Sequence, residues 1–355
     1  MSTGQNNKLR LPAEWEPVDA VLMAWPHSNT DWAYMLDEVL QTYIAIISAI
    51  SERAKVVLIG PELPDDSVFP PECRTENIIR LAMPTNDTWT RDYGPLTVAD
   101  SEGKLTFRDY IFNGWGQKFA SNHDNMATAR LHTELLDGNY SSELDFVLEG
   151  GSIESDGNGL ILTTATCLLA PNRNDKTDQY GIETRLMQDF GAHKVLWLKH
   201  GQLAGDDTDG HVDTLARLAP PGDVIFYTGC SDPDDEHYAE LCAMRRELEG
   251  FTTVHGTPFN LVELPLPDPV YDPEDGSRLP ATYANFLIVN GAVLLPTYGQ
   301  PMKDMMAEQL IQTAMPEYEI ITIDCKSLVR QHGSLHCATM QLPVGALREC
   351  LNSTH

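Results

Sequence analysis

Short apolar runs recur along the chain and alternate with segments whose apolar residues return at helical spacing. Residues 18–25 are nearly all apolar and predict a strand, while 37–51 carry the rhythm of an amphipathic helix. A strand at 54–59, a Pro- and Asp-rich turn over 61–71 and a strand at 78–83 follow. Further strands are predicted at 95–98, 105–111, 159–163, 194–198, 224–228, 286–289, 292–296 and 320–324, and helices at 124–136, 176–190, 234–248 and 302–314. This alternation argues for an α/β fold. Two blocks share a rhythm, 157–198 and 286–324, each running strand, helix, strand. No residue pattern recurs at fixed spacing, yet the rhythm points to copies of one supersecondary unit rather than a dinucleotide-binding sheet. Residues 265–280 are dense in turn formers and are read as a surface loop, within a single domain spanning 1–355.

Composition narrows the partners. The chain has 355 residues, 42% of them apolar, and 52 acidic side chains against 24 basic ones give a net charge of −28. Such a surface repels phosphate backbones, so nucleic acid and anionic membranes are excluded as partners and a small cation is favoured. Residues 1–8 contain no signal-like apolar core, and no run of about 18 apolar residues predicts a membrane span. Seven cysteines, odd in number and without a C-x-x-C pair, suit reduced thiols and a cytoplasmic location. A homo-oligomer is compatible with such a chain.

Four segments are dense in reactive residue types. In Asn86-Asp87-Thr88-Trp89-Thr90-Arg91-Asp92-Tyr93-Gly94-Pro95, an aspartate beside an indole could grip a planar cation at its edge while the ring covers its face. The bland alternative is a capping Asp beside a core Trp. In Leu148-Glu149-Gly150-Gly151-Ser152, a glutamate ending an apolar run could be carried into an interior that admits only glycine backbone, where His211 would be its partner. In Asp206-Asp207-Thr208-Asp209-Gly210-His211-Val212-Asp213, a strand would point His211 and Asp213 to one face. A calcium loop is the rival there, but Leu218 stands where an EF-hand loop needs glutamate. In His332-Gly333-Ser334-Leu335-His336-Cys337, glycine and polar Thr339 favour a thiol at an accessible turn; a zinc site from His332, His336 and Cys337 lacks a completing cluster. A thiol that attacks, a histidine that shuttles protons and acids that hold a cation are the parts of a hydrolase for positively charged carbon.

Together these segments resemble the agmatine deiminases, in the branch of guanidino-modifying enzymes shared with bacterial peptidylarginine deiminases. The matching stretches are Pro12-Ala13-Glu14-Trp15-Glu16-Pro17, Met23-Ala24-Trp25-Pro26, Trp89 to Pro95, Phe112-Asn113-Gly114-Trp115-Gly116, Leu148 to Ser152, Pro171-Asn172-Arg173-Asn174, Asp207 to Asp213, and His336-Cys337. The resemblance implies a pentein fold, a five-bladed α/β propeller of five ββαβ-type modules around a central channel. It implies that Cys337 is the nucleophile, His211 the general acid/base and Glu149 its orienting partner, that Asp92 and Asp213 hold the guanidinium, and that no metal or organic cofactor takes part. Trp89 and Trp115 are candidates for lining the entrance. The family usually shows three glycines and an asparagine ahead of the His-Cys pair; Gln331-His332-Gly333-Ser334 departs from that and bears on the preference for the substrate's tail.

The implied substrate is a small cationic guanidine. Agmatine, which carries no carboxylate, suits the acidic chain better than free arginine, and its hydrolysis would yield N-carbamoylputrescine and ammonia for putrescine synthesis. Peptidylarginine deimination, another Cys/His hydrolysis of amidines or amides, and a silent polyamine- or protein-binding module are the alternatives. The acids impose a cost: Asp92, Asp213 and Glu149 near Cys337 should raise its pKa. One charge at about 4 Å with an effective dielectric of about 20 is worth on the order of 4 kcal/mol. A bound cation would offset it.

Overall fold

The computed structural model describes residues 9–352; residues 1–8, where the signal-peptide reading applies, lie outside them. Strand β1 (Val18–Ala24) and β2 (Lys55–Gly60) run parallel, joined by helix α1 (Leu36–Ser51), and β3 (Ile78–Ala82) lies parallel on the far side of β2. Then β4 (Leu96–Ala99) pairs antiparallel with β5 (Leu105–Ile111), which pairs parallel with β6 (Asn139–Val147) after α2 (Ala127–Glu134). The same order returns in β7 (Ile153–Ser155), β8 (Leu160–Thr164), α3 (Gln179–Phe190) and β9 (Lys194–Leu198), and again in β10 (Ala216–Ala219), β11 (Val224–Gly229), α4 (Tyr238–Glu249) and β12 (Asn260–Pro265). After a small hairpin of β13 (Val270–Tyr271) and β14 (Arg278–Leu279), it returns in β15 (Leu287–Val289), β16 (Ala292–Thr297), α5 (Pro301–Ala314) and β17 (Glu319–Asp324). The last strand, β18 (Met340–Pro343), pairs antiparallel with β1.

Five ββαβ modules result, and the fifth is assembled from both chain ends: β18 supplies the antiparallel strand, β1 and β2 the parallel pair. The repeat is one of pairing rather than of residues, which explains its faint trace in the sequence. The segment 265–280 is not the loop expected from its turn formers, since β12 ends at Pro265 and the β13–β14 hairpin interrupts it.

Local chemistry accounts for the elements. In α1, Val39, Tyr43, Ile46, Ile47 and Ile50 recur at helical spacing and are all buried, each worth about 1.5–3 kcal/mol. With the turn before it, Asp31–Ser51 has a mean hydropathy of 1.2 over its best window and would pass as a membrane span by length and composition. No unbroken apolar run announces it, and its apolar face is core. Helix α3 starts where the Asp178 side chain accepts the Gly181 N–H at 2.9 Å, and it ends at Gly191 in the left-handed region with φ 65°. Buried apolar side chains form a large cluster from Val18 to Leu347 and a smaller one from Leu160 to Leu266; Trp15 packs against both.

Candidate active site

The turn leading into the first strand of each module carries a reactive side chain. Asp92 lies ahead of β4, Glu149 ahead of β7, Asp213 ahead of β10, Asn285 ahead of β15 and Cys337 ahead of β18. Equivalent positions of repeated modules thus supply residues far apart in the chain, and the structure brings them together.

Gly151 lies among three of these groups. A Cβ built there would stand 2.6 Å from His211 Nδ1, 2.9 Å from Asp92 Oδ1 and 3.1 Å from Asp213 Oδ2. Its neighbour Gly150 is pressed as closely, with a Cβ position 2.1 Å from the Arg91 carbonyl oxygen. Only bare backbone fits in this space, which is the role glycine was expected to have beside Glu149. Asp213 Oδ2 is in turn 3.7 Å from Cys337 Sγ. These chained contacts keep the imidazole and the thiol within about 10 Å, close enough for a substrate or one water to bridge them.

The His211 ring is buried, and its Nε2 hydrogen-bonds Glu149 Oε2 at 3.3 Å. The Nδ1 atom lies 3.6 Å from Asp92 Oδ1 and has no hydrogen-bond partner among the described residues, so it is the nitrogen left for chemistry. Although burial works against charge, Asp92, Cys167 and Glu149 raise the His211 pKa well above the ordinary imidazole range. Glu149 resists its own burial: His211 and Arg173 lower its pKa, with Arg173 Nε donating to Oε2 at 2.7 Å. Glu149, Cys167 and His211 offer donor atoms within 4.8 Å of one another, a spacing a metal could use. The Arg173 guanidinium already holds the cationic place on Glu149 Oε2, so the group is an ion-paired acid–base unit rather than a vacant ligand set. His211 and Asp213 do not lie on a strand as expected; His211 precedes a tight 3-10 turn at Val212–Thr214.

Cys337 lies in a turn, as expected, and lines the pocket that opens above it, but it is only 5% exposed. Burial, then Asp213 and Asp92, push its pKa well above that of a free thiol, the aspartates being two of the three acids expected to do so. Asn285 supports it from beneath. Its Nδ2 donates to Cys337 Sγ and to the Asp213 carbonyl oxygen, both at 3.3 Å, while Oδ1 accepts the His336 N–H at 2.9 Å. Asp92 accepts from the Trp115 indole and from Gly151 N, both at 2.9 Å. Burial raises the Asp92 pKa, whereas Asp213 is lowered against its burial, chiefly by His336 at 2.8 Å. Asp213 Oδ1 and Glu149 Oε1 are buried without hydrogen-bond partners among the described residues, two acceptors that suit a ligand rich in N–H groups, and His211 Nδ1, likewise without one, is placed to exchange a proton.

Beneath the site lies a buried ionic network. Glu14 meets His336 Nε2 at 2.5 Å, Arg217 at 2.8 Å and Arg91 at 3.4 Å, and Arg217 also meets Glu154 at 2.6 Å. His336 is therefore turned inward, and His332 faces Gly205, so the zinc set His332, His336 and Cys337 does not converge. The acids ahead of His211 shape a turn: Asp206 accepts from Thr208 N and Gly210 N, and Asp209 pairs with Arg173 and Lys118.

Above Cys337 opens a pocket of about 500 Å³, counting space open to solvent. Asp31, Asp87, Asp92 and Asp207 line it with Trp89, Trp115, Phe119 and residues 331–333; among its described lining residues there is no Lys or Arg. Both tryptophans proposed for the entrance therefore line it. His332 takes the left-handed conformation, φ 63°, and its Nδ1 lies 2.7 Å from the Gly205 carbonyl oxygen, tying two pocket walls together. Gly333 lies against the Trp89 ring, where a Cβ would stand 2.5 Å away.

Glu14, Arg217 and Asn285 escape a reading by residue type, since an amide or charge beside an apolar run looks like an ordinary boundary. The usable signal for Asn285 is positional, as it precedes the first strand of its module like the other four.

Comparison with known proteins adds context. Residues 10–343 match the model of the Porphyromonas-type peptidyl-arginine deiminase family. The chain is 46% identical to a solved structure from Porphyromonas gingivalis assigned provisionally as an arginine deiminase, covering 96% of this chain and 100% of that one, with a TM-score of 0.89. It is 37% identical to a C. jejuni agmatine deiminase solved with substrate bound, covering 98% and 100%, with a TM-score of 0.88. It is similar also to the agmatine deiminase of Pseudomonas fluorescens, at 32% identity over 96% of this chain and 97% of the relative.

Proposed function

Since the chain belongs to the Porphyromonas-type peptidyl-arginine deiminase family, we propose that it is a single-domain agmatine deiminase that hydrolyses agmatine to N-carbamoylputrescine and ammonia. The observation that carries the choice of substrate is the pocket, lined by four aspartates and by no Lys or Arg among the described residues. A guanidine with a second cation at its far end suits it. The α-carboxylate of free arginine would face four aspartates there and find no Lys or Arg partner among the described lining residues. The family name and the P. gingivalis relative favour arginine or peptidyl-arginine as the second reading.

In the mechanism, Asp92 and Asp213 grip the guanidinium edge and hold its carbon over Cys337. The arriving cation offsets the acids that keep the thiol protonated, and its proton leaves to solvent. The thiolate adds to the guanidinium carbon. His211, held by Glu149 and carrying a proton, gives it to the nitrogen that departs as ammonia, leaving an S-alkylthiouronium. The neutral imidazole then takes a proton from water, which adds to the same carbon and expels the sulfur, releasing the ureido product. Asn285 and His336 act as positioning residues for sulfur and Asp213. The free thiols support a reducing, cytoplasmic setting.

Ammonia release from agmatine, free arginine and a blocked arginine peptide tests the reading. Agmatine is expected to exceed both others in kcat/KM by about 100-fold or more. Faster release from the peptide would assign the second reading, and no release from any guanidine would remove the enzyme class.

A further inference from the structure

The guanidinium clamp accounts for one of the pocket's carboxylates, Asp92. Asp31 is exposed at the rim, and the Asp207 side chain is 44% exposed with His332 Nε2 at 3.8 Å. Charges so open to water contribute little to selectivity. Asp87 differs. It lines the same pocket, is only 9% exposed, and pairs with no Lys, Arg or His among the described residues.

Its position is fixed from several sides. Asp124 accepts the N–H groups of Asn86 at 2.6 Å and Asp87 at 3.0 Å, the Tyr93 hydroxyl donates to the Asp87 carbonyl oxygen at 3.0 Å, and Asp87 Oδ1 accepts Thr88 N–H at 2.7 Å. Such a held, nearly buried carboxylate needs no reorganisation to receive a cation.

We propose that Asp87 is the specificity-determining residue that receives the substrate's distal ammonium. The assignment rests on the agmatine reading and deepens it, separating recognition of the two ends: Asp92 and Asp213 for the guanidinium, Asp87 for the amine. The groups facing Asp87 are acids and phenols, Asp31, Asp124, Tyr43 and Tyr93, so the substrate brings the compensating charge. Burial, with Asp31 adding to it, raises the Asp87 pKa to about 7. Recognition of the ammonium therefore strengthens as pH rises through neutrality and fades below it.

The test compares agmatine with pentylguanidine, in which a methyl group replaces the ammonium. The intact enzyme is expected to prefer agmatine by about 100-fold in kcat/KM, and Asp87→Asn to lose most of that preference, mainly through KM. Asp31→Asn is expected to shift it by less than about threefold. A purely structural role would lower both substrates together, so proportional losses, or a preference kept by Asp87→Asn, overturn the proposal. Should that variant fail to fold, the intact enzyme decides: its preference is expected to fall as pH drops from about 8.5 to 6, and a flat ratio overturns it. Turnover of both guanidines without preference removes the role of Asp87 alone; turnover of neither removes the functional reading with it.

Discussion

A methyl group at Gly151 would fill the space that His211, Asp92 and Asp213 share. Gly151→Ala is therefore expected to lower kcat/KM by about 1000-fold by displacing the imidazole, while shifting thermal unfolding by only a few degrees. Steady-state kinetics beside a melting curve checks this, and more than a tenth of normal activity would contradict the crowding described. At this scale much of the site was legible beforehand. Cys337, His211, Glu149, Asp92 and Asp213 stood out because their types are chemically rare in such company, and the structure places all five around one pocket or directly behind it. What escaped were groups whose importance lies in what they touch. Arg217 appears as one basic residue in an apolar strand, yet it is wholly buried between Glu14 and Glu154 and lies 4.7 Å over the Phe286 ring.

Among elements, legibility followed the length and period of the apolar run. Strands β5 and β9 are continuous apolar or alternating runs and coincide end to end with the segments predicted at 105–111 and 194–198. Strand β6 went unseen because most of Asn139–Val147 faces water, and β7 because three residues carry no period. Strand β18 also went unseen, though it has the largest consequence. Its Leu342 is fully buried and Met340 nearly so, and among the described residues it alone pairs with β1 on that edge. Leu342→Ala is expected to cost about 2–4 kcal/mol. Chemical denaturation monitored by fluorescence measures it, and activity should be lost at the same denaturant concentration as structure, because Cys337 lies in the turn that this strand anchors.

For the molecule as a whole, the net charge of −28 and the acidic pocket act in one direction on a dication. Between about 20 and 300 mM salt, kcat/KM for agmatine is expected to fall several-fold, and that for singly charged pentylguanidine by less. Equal falls would show that the field does not draw in the substrate. The five-module plan was foreseen through resemblance rather than periodicity, because the copies share strand pairing and not residues.

The joining of β18 to β1 also governs when the catalyst comes into being. A ribosome must make Met340–Pro343 before the first strand can find its closing mate, and the sulfur is seated in the same event. Any nascent chain that stops short of β18 holds the imidazole and its carboxylates but no finished reaction centre, so the birth of activity waits on this one strand.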